Sequence, residues 1–97
     1  MRKTDKKRDN AIRLALTDAC EQALEQIPGF KWLTHYVDYQ RFPQSLKVVC
    51  IFESQSALLA ANTAAHDVLM RKLVTEALAD IGIAMPNPGT NISLQAE

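Results

Sequence analysis

Residues 46–52 read L-K-V-V-C-I-F, and their reading decides the fold. Val48, Val49, Cys50, Ile51 and Phe52 form an apolar run that is short, mostly β-branched and too brief for a buried helix, so it reads as the central strand of a sheet. Such a run is buried on both faces only if helices cover one side and loops, the N-terminal segment or a second subunit cover the other. Upstream, residues 30–39 are aromatic and β-branched and read as a second strand, with Phe30, Trp32, Thr34 and Tyr36 on one side and Leu33, His35, Val37 and Tyr39 on the other. The loop Gln40-Arg41-Phe42-Pro43-Gln44-Ser45 makes a hairpin the shortest connection between them.

Helices flank the hairpin. From about residue 4 to 27, Ile12, Leu16, Ala19, Cys20, Ala23, Leu24 and Ile27 recur at intervals of three and four, which is the signature of an amphipathic helix. Thr4 and Asp9 are alternative N-caps, and Pro28-Gly29 ends it. Downstream, Ser54 or Ser56 can cap a second helix whose stripe runs Leu58, Ala61, Ala65, Leu69, Leu73, Ala77 and Ile81 up to Gly82. Residues 56–82 are therefore expected to be helical without a helix-turn-helix turn, although Asn62-Thr63 marks a place where so long a helix can break. Pro86, Pro88 and Gly89 predict an irregular crossing loop over 83–90, and 91–95 a short last strand. The order is α-β-β-α-β: an α+β two-layer domain, with a three-stranded sheet carrying two helices on one face.

The 97 residues suit one such domain spanning 1–97, with residues 1–9 a basic N-terminal segment that can fray. The uncharged stretch 54–66 is too short and too rich in Ala, Ser, Asn and Thr to cross a bilayer, so no membrane is expected. No apolar run of signal-peptide length follows the basic start, and cytoplasmic residence is the expectation.

Chemistry-bearing motifs are sparse. The chain contains no G-x-G-x-x-G, G-x-x-x-x-G-K-[ST], G-x-S-x-G or H-E-x-x-H. Cys20 and Cys50 stand thirty positions apart and read as small buried thiols; with His35 and His66 equally solitary, no metal site is assigned. Asp18, Glu21 and Glu25 lie on the polar face of the first helix and read as a solvated face rather than as acid–base groups. His35 has no nucleophile or partner in sequence. Trp32, Tyr36 and Phe30 could stack on bases, but a stripe of this kind is more often core. No catalytic residue and no cofactor is assigned, and the chain is read as a non-enzymatic binding protein.

Charge is the remaining signal. Residues 1–13 carry six basic and two acidic side chains, net +4, and residues 14–97 carry five basic and nine acidic, net −4. A basic end of this kind can neutralise phosphates, so Arg2, Lys3, Lys6, Lys7, Arg8 and Arg13 are the candidate contacts to nucleic acid or a ribonucleoprotein. Asp5 and Asp9 interrupt the run. The alternative is a protein-interaction or homodimeric adaptor module that pairs with another chain, or with itself, through the open edge of a three-stranded sheet.

M-R-K-T-D-K-K at residues 1–7, I-P-G-F-K-W-L-T-H at 27–35 and S-L-K-V-V-C-I-F-E at 45–53 resemble a family of short gammaproteobacterial proteins, often labelled "Fis family transcriptional regulator". The resemblance covers most of the chain, and it implies a role in transcriptional regulation. Asn62, Leu69-Met70-Arg71-Lys72-Leu73 and Gly82-Ile83 imitate pieces of a Fis-type helix-turn-helix at wider spacing. No DNA-binding residue is carried over from it.

Overall fold

The computed structural model describes residues 3–42 and 44–97, with residues 3–5 described by their backbone alone. The chain runs α1 (Lys3–Gln26), β1 (Phe30–Tyr36), a 3-10 turn (Tyr39–Arg41), β2 (Lys47–Phe52), α2 (Gln55–Thr63), α3 (His66–Ala79), α4 (Pro88–Asn91) and β3 (Ile92–Ala96). The α+β expectation holds, and β2 is the central strand: it pairs antiparallel with β1 and parallel with β3, in the order β1-β2-β3.

The alternation of β2 organises the layers. Val48, Cys50 and Phe52 are fully buried, while Val49 and Ile51 between them are only half-buried. The apolar run is thus covered on one face, not on two. Burial of these three side chains contributes about 2 kcal/mol each. Cross-strand partners share a face, so Leu33 and His35 of β1, opposite Cys50 and Val48, look toward the helices. Trp32, Thr34 and Tyr36, opposite Ile51, Val49 and Lys47, look the other way, where Ser93 and Gln95 of β3 join them.

The expected alternation of β1 fails at one point. A bulge between Phe30 and Trp32 shifts the register, so Phe30 turns inward and meets Phe52 edge-on, with ring centroids 5.8 Å apart. Trp32 and Tyr36, expected in the core, are instead 42% and 62% exposed.

The core joins Ile12, Leu16, Ala19, Ala23 and Ile27 of α1 to the inner face of the sheet and to Met70, Leu73, Val74, Ala77 and Leu78 of α3. The second helix is not continuous. Thr63 ends α2, and Ala65, in the left-handed conformation at φ 61°, precedes α3, so the break falls directly after Asn62-Thr63, where the sequence allows one. This turn resets the helical phase. Ala65 and Ile81 of the anticipated stripe leave the core, Leu69 packs against it only partly buried, and Met70, Val74 and Leu78 take fully buried positions. Ser54 caps α2 by accepting from the Ala57 amide at 3.1 Å. The proline-rich segment is more ordered than expected: Ile83 and Met85 are buried, and α4 ends at Asn91, whose side chain donates to the Leu46 and Gln44 carbonyls at 2.7 and 3.2 Å. That pair of bonds ties the loop before β2 to the start of β3. No helix among the described residues is long and apolar enough to cross a membrane.

Backbone chirality gives opposite predictions at two turns. Ala65→Gly should raise stability by roughly 0.5–1 kcal/mol in urea unfolding, because a left-handed Cβ is costly even after the entropy of glycine in the unfolded chain is counted. Gly29→Ala should lower it by about 2 kcal/mol or more, since φ is +82° and the added Cβ would lie 2.6 Å from that of Ala57.

Candidate nucleic-acid interface

Lys6, Lys7, Arg8 and Arg13 lie on α1, which continues helically through the basic segment expected to fray. Arg2 lies outside the described residues, and Lys3 is described only as helical backbone. Lys6 and Lys7 are exposed. Arg8 is half-buried, its guanidinium 4.6 Å from the centre of the Phe42 ring, and Phe42 in turn stacks on Tyr39 with centroids 5.8 Å apart. The cation over the ring, worth about 0.5–1 kcal/mol, fixes where the basic helix end sits against the β1–β2 connection.

Asp9 explains the pose of the whole helix. Its carboxylate points away from the lysines: Oδ2 meets Arg13 Nε at 3.0 Å, while Oδ1 accepts from Tyr39 Oη at 3.0 Å and lies 3.2 Å from His35 Nε2. Asp9 and His35 side chains are each about 15% exposed or less. Partial desolvation pushes the Asp9 carboxyl up, but the hydrogen bonds of His35 and Tyr39 and the charge of Arg13 outweigh it and hold the group below its ordinary value of 3.8. Of the two acidic residues that interrupt the basic run in sequence, Asp9 is therefore turned inward in space, and the side chain of Asp5 lies outside the described ones. Sequence spacing could not find this cluster, because its partners are 26 and 30 residues away.

The topology gathers further cations at the same end. Asp9 touches His35 and Tyr39, so the N-terminal part of α1 lies beside the C-terminal end of β1, where Arg41 closes the 3-10 turn and Lys47 opens β2. Asp38 is occupied there, accepting from the Gln40 amide at 3.0 Å. The carboxylates of Glu53 and Glu97 lie at the opposite end, after β2 and β3, with Glu97 held by Lys31 at 2.7 Å. Charge polarity in sequence becomes polarity along the sheet.

Between α1 and β1 runs an open groove of about 510 Å³, lined by Arg13, Leu16, Thr17, Cys20, Glu21, Leu33, Thr34 and His35. Burial pushes the Cys20 thiol up, against the smaller opposing effect of its bond to the Leu33 backbone, and this keeps it a neutral thiol. Burial likewise pushes Cys50 up, to about 12. His35 already spends Nε2 on Asp9, an arrangement that fastens α1 to β1. Among the described residues no three His, Cys, Asp or Glu side chains come together as a metal-holding group. The groove offers an apolar floor with a polar rim.

Comparison of the chain with protein-family models, curated proteins and solved structures gives no match.

The Asp9 cluster has a pH signature. Because the folded carboxyl titrates below its ordinary value, its stabilising effect is complete above about pH 4 and disappears as pH falls through the folded pKa. Asp9→Asn should cost about 1–3 kcal/mol at pH 7 through its weakened bonds to His35, Tyr39 and Arg13. The gap between the two proteins, measured by urea unfolding, should narrow steadily below pH 4.

Proposed function

We propose that the chain is a small non-enzymatic binding protein whose basic end contacts nucleic acid or a ribonucleoprotein. The observation that carries this reading is the inward turn of Asp9. It leaves the exposed Lys6 and Lys7, with Arg8 beside them, as a helical projection of positive charge, and Arg41 and Lys47 extend the same end. Contacts made this way go mainly to phosphate and carry little sequence preference. Arg13, although 69% exposed, is already paired with Asp9 and contributes less than its neighbours. A role in transcriptional regulation, as the family resemblance implies, would then rest on this end rather than on a recognition helix.

A second reading, a homodimeric or adaptor module, is favoured by β1 lying at the sheet edge beside the groove. An incoming strand could pair with that edge while its side chains entered between Leu16, Cys20 and Leu33. Sedimentation showing a monomer at all concentrations, together with no captured partner, would remove it.

The two readings separate on salt. Fluorescence anisotropy with labelled DNA and RNA at about 50 mM salt should show binding whose logarithm falls linearly with log salt. Lys6→Ala, Lys7→Ala and Arg8→Ala should each weaken binding to all sequences alike and reduce the slope by roughly 0.7–0.9 per lost phosphate contact. Absence of binding, or binding indifferent to the triple substitution, would sink the proposal.

A further inference from the structure

We infer that the uncovered face of the sheet is a platform for single-stranded nucleic acid, with bases stacking on Trp32 and Tyr36. The inference rests on the nucleic-acid reading above and adds the ligand's form and a second binding surface.

The physical oddity is the placement of the aromatics. A tryptophan and a tyrosine stand on the same face of one strand, 42% and 62% exposed, although the core of this domain is made mostly of small and aliphatic side chains. Val49 and Ile51, half-buried beside them on β2, add apolar surface that a base can cover, with Thr34 between the two rings. None of the outward-facing residues of β1, β2 or β3 is acidic. The cations are unevenly available. Lys31 lies 5.5 Å from the centre of the Trp32 ring but is committed to Glu97, whereas Lys47, exposed beside Tyr36, is not in a salt bridge with any described residue. Beyond Tyr36 and Lys47 the chain leads to the basic end of α1. A phosphate backbone held by Lys6, Lys7 and Arg8 on the helical side would turn round this end of the sheet, past Lys47, to reach the outer face.

Geometry selects a single strand. The rings are four strand residues apart, about 13 Å. That exceeds the ~3.4 Å step of a stacked strand, so the two bases they hold are not stacked neighbours and the nucleotides between them are splayed. A duplex keeps its bases stacked on each other and has no free base face to offer these rings. The charge of the face and of its approach favours a polyanion over a second copy of this chain, which would set Lys47 and the basic ends against like charge.

Trp32 is the only tryptophan, so its emission reports the face directly. The full chain is titrated with oligo-dT and oligo-U octamers, a dinucleotide and a 16-base-pair duplex, following Trp32 fluorescence and, in parallel, the anisotropy of labelled oligonucleotides. The octamers should quench Trp32, and the duplex should bind without quenching. The dinucleotide should bind at least tenfold more weakly than the octamers. Tyr36→Ala should weaken octamer binding by about fivefold or more while leaving duplex binding unchanged. Trp32→Ala should do the same and Trp32→Phe restore most of the affinity; circular dichroism checks that each variant is folded. Lys47→Ala should reduce the salt slope, and Lys31→Ala should not. Salt-sensitive binding with unchanged Trp32 emission would overturn the sheet platform and leave the basic end standing. No binding of any nucleic acid would overturn both. A shift in Trp32 emission with protein concentration alone, accompanied by a dimer in sedimentation, would instead assign the face to self-association and overturn the proposal.

Discussion

The two-sided character of β2 is the constraint on which the rest depends. Side chains alternate along a strand with a period of two, so burial of Val48, Cys50 and Phe52 beneath the helices commits Lys47, Val49 and Ile51 to the other face. Register then propagates outward. Pairing with β1 turns Leu33 and His35 inward and Trp32 and Tyr36 outward, and pairing with β3 turns Ile92 and Leu94 inward. A slip of one residue would exchange both faces at once, exposing Cys50 and burying Lys47. Both faces of the sheet are fixed by that register.

Asp9 is the counterpart in the helical layer. Its bonds to His35 and Tyr39 set the distance and rotation of α1 over β1, and its pairing with Arg13 neutralises one cation within the fold. The same carboxylate thus has a packing role and an electrostatic one. It turns its own negative charge away from the basic end while anchoring the helix that presents it.

Much of the architecture was legible in the sequence, because period and composition agree there. The run 48–52, the aromatic strand before it and the stop at Pro28-Gly29 each combine a hydrophobic pattern with a turn or breaker signal. Other features had no local signature. The bulge at Lys31 accompanies the closing of Phe30 onto Phe52, a contact made 22 residues along the chain, so Phe30 is core as expected but does not share the face of Trp32 and Tyr36, whose exposure the reading of an aromatic stripe as core missed. The break after Asn62-Thr63 could be placed from the sequence, but its change of phase could not: the turn residues Ala64 and Ala65 are neither Gly nor Pro, and the new phase buries Met70, Val74 and Leu78. Of the candidate site, the basic residues were readable as a charge run, but the inward Asp9 and the outward aromatics are properties of three-dimensional pairing.

The basic helix end poses an energetic question that the fold answers only in part. Positive charge in the first turns of a helix opposes the macrodipole at a cost of about 0.3–1 kcal/mol per residue. Arg8 gains a contact of similar size over the Phe42 ring, while Arg13, farther along the helix and beyond the reach of the dipole, pairs with Asp9. Lys6 and Lys7 are exposed, and neither is in a salt bridge with any described residue. A phosphate placed at the helix end would meet both the lysine charges and the positive end of the dipole. An external polyanion converts two locally unfavourable residues into favourable ones, and this asymmetry between the isolated and the bound chain is the physical basis for reading the end as a contact surface.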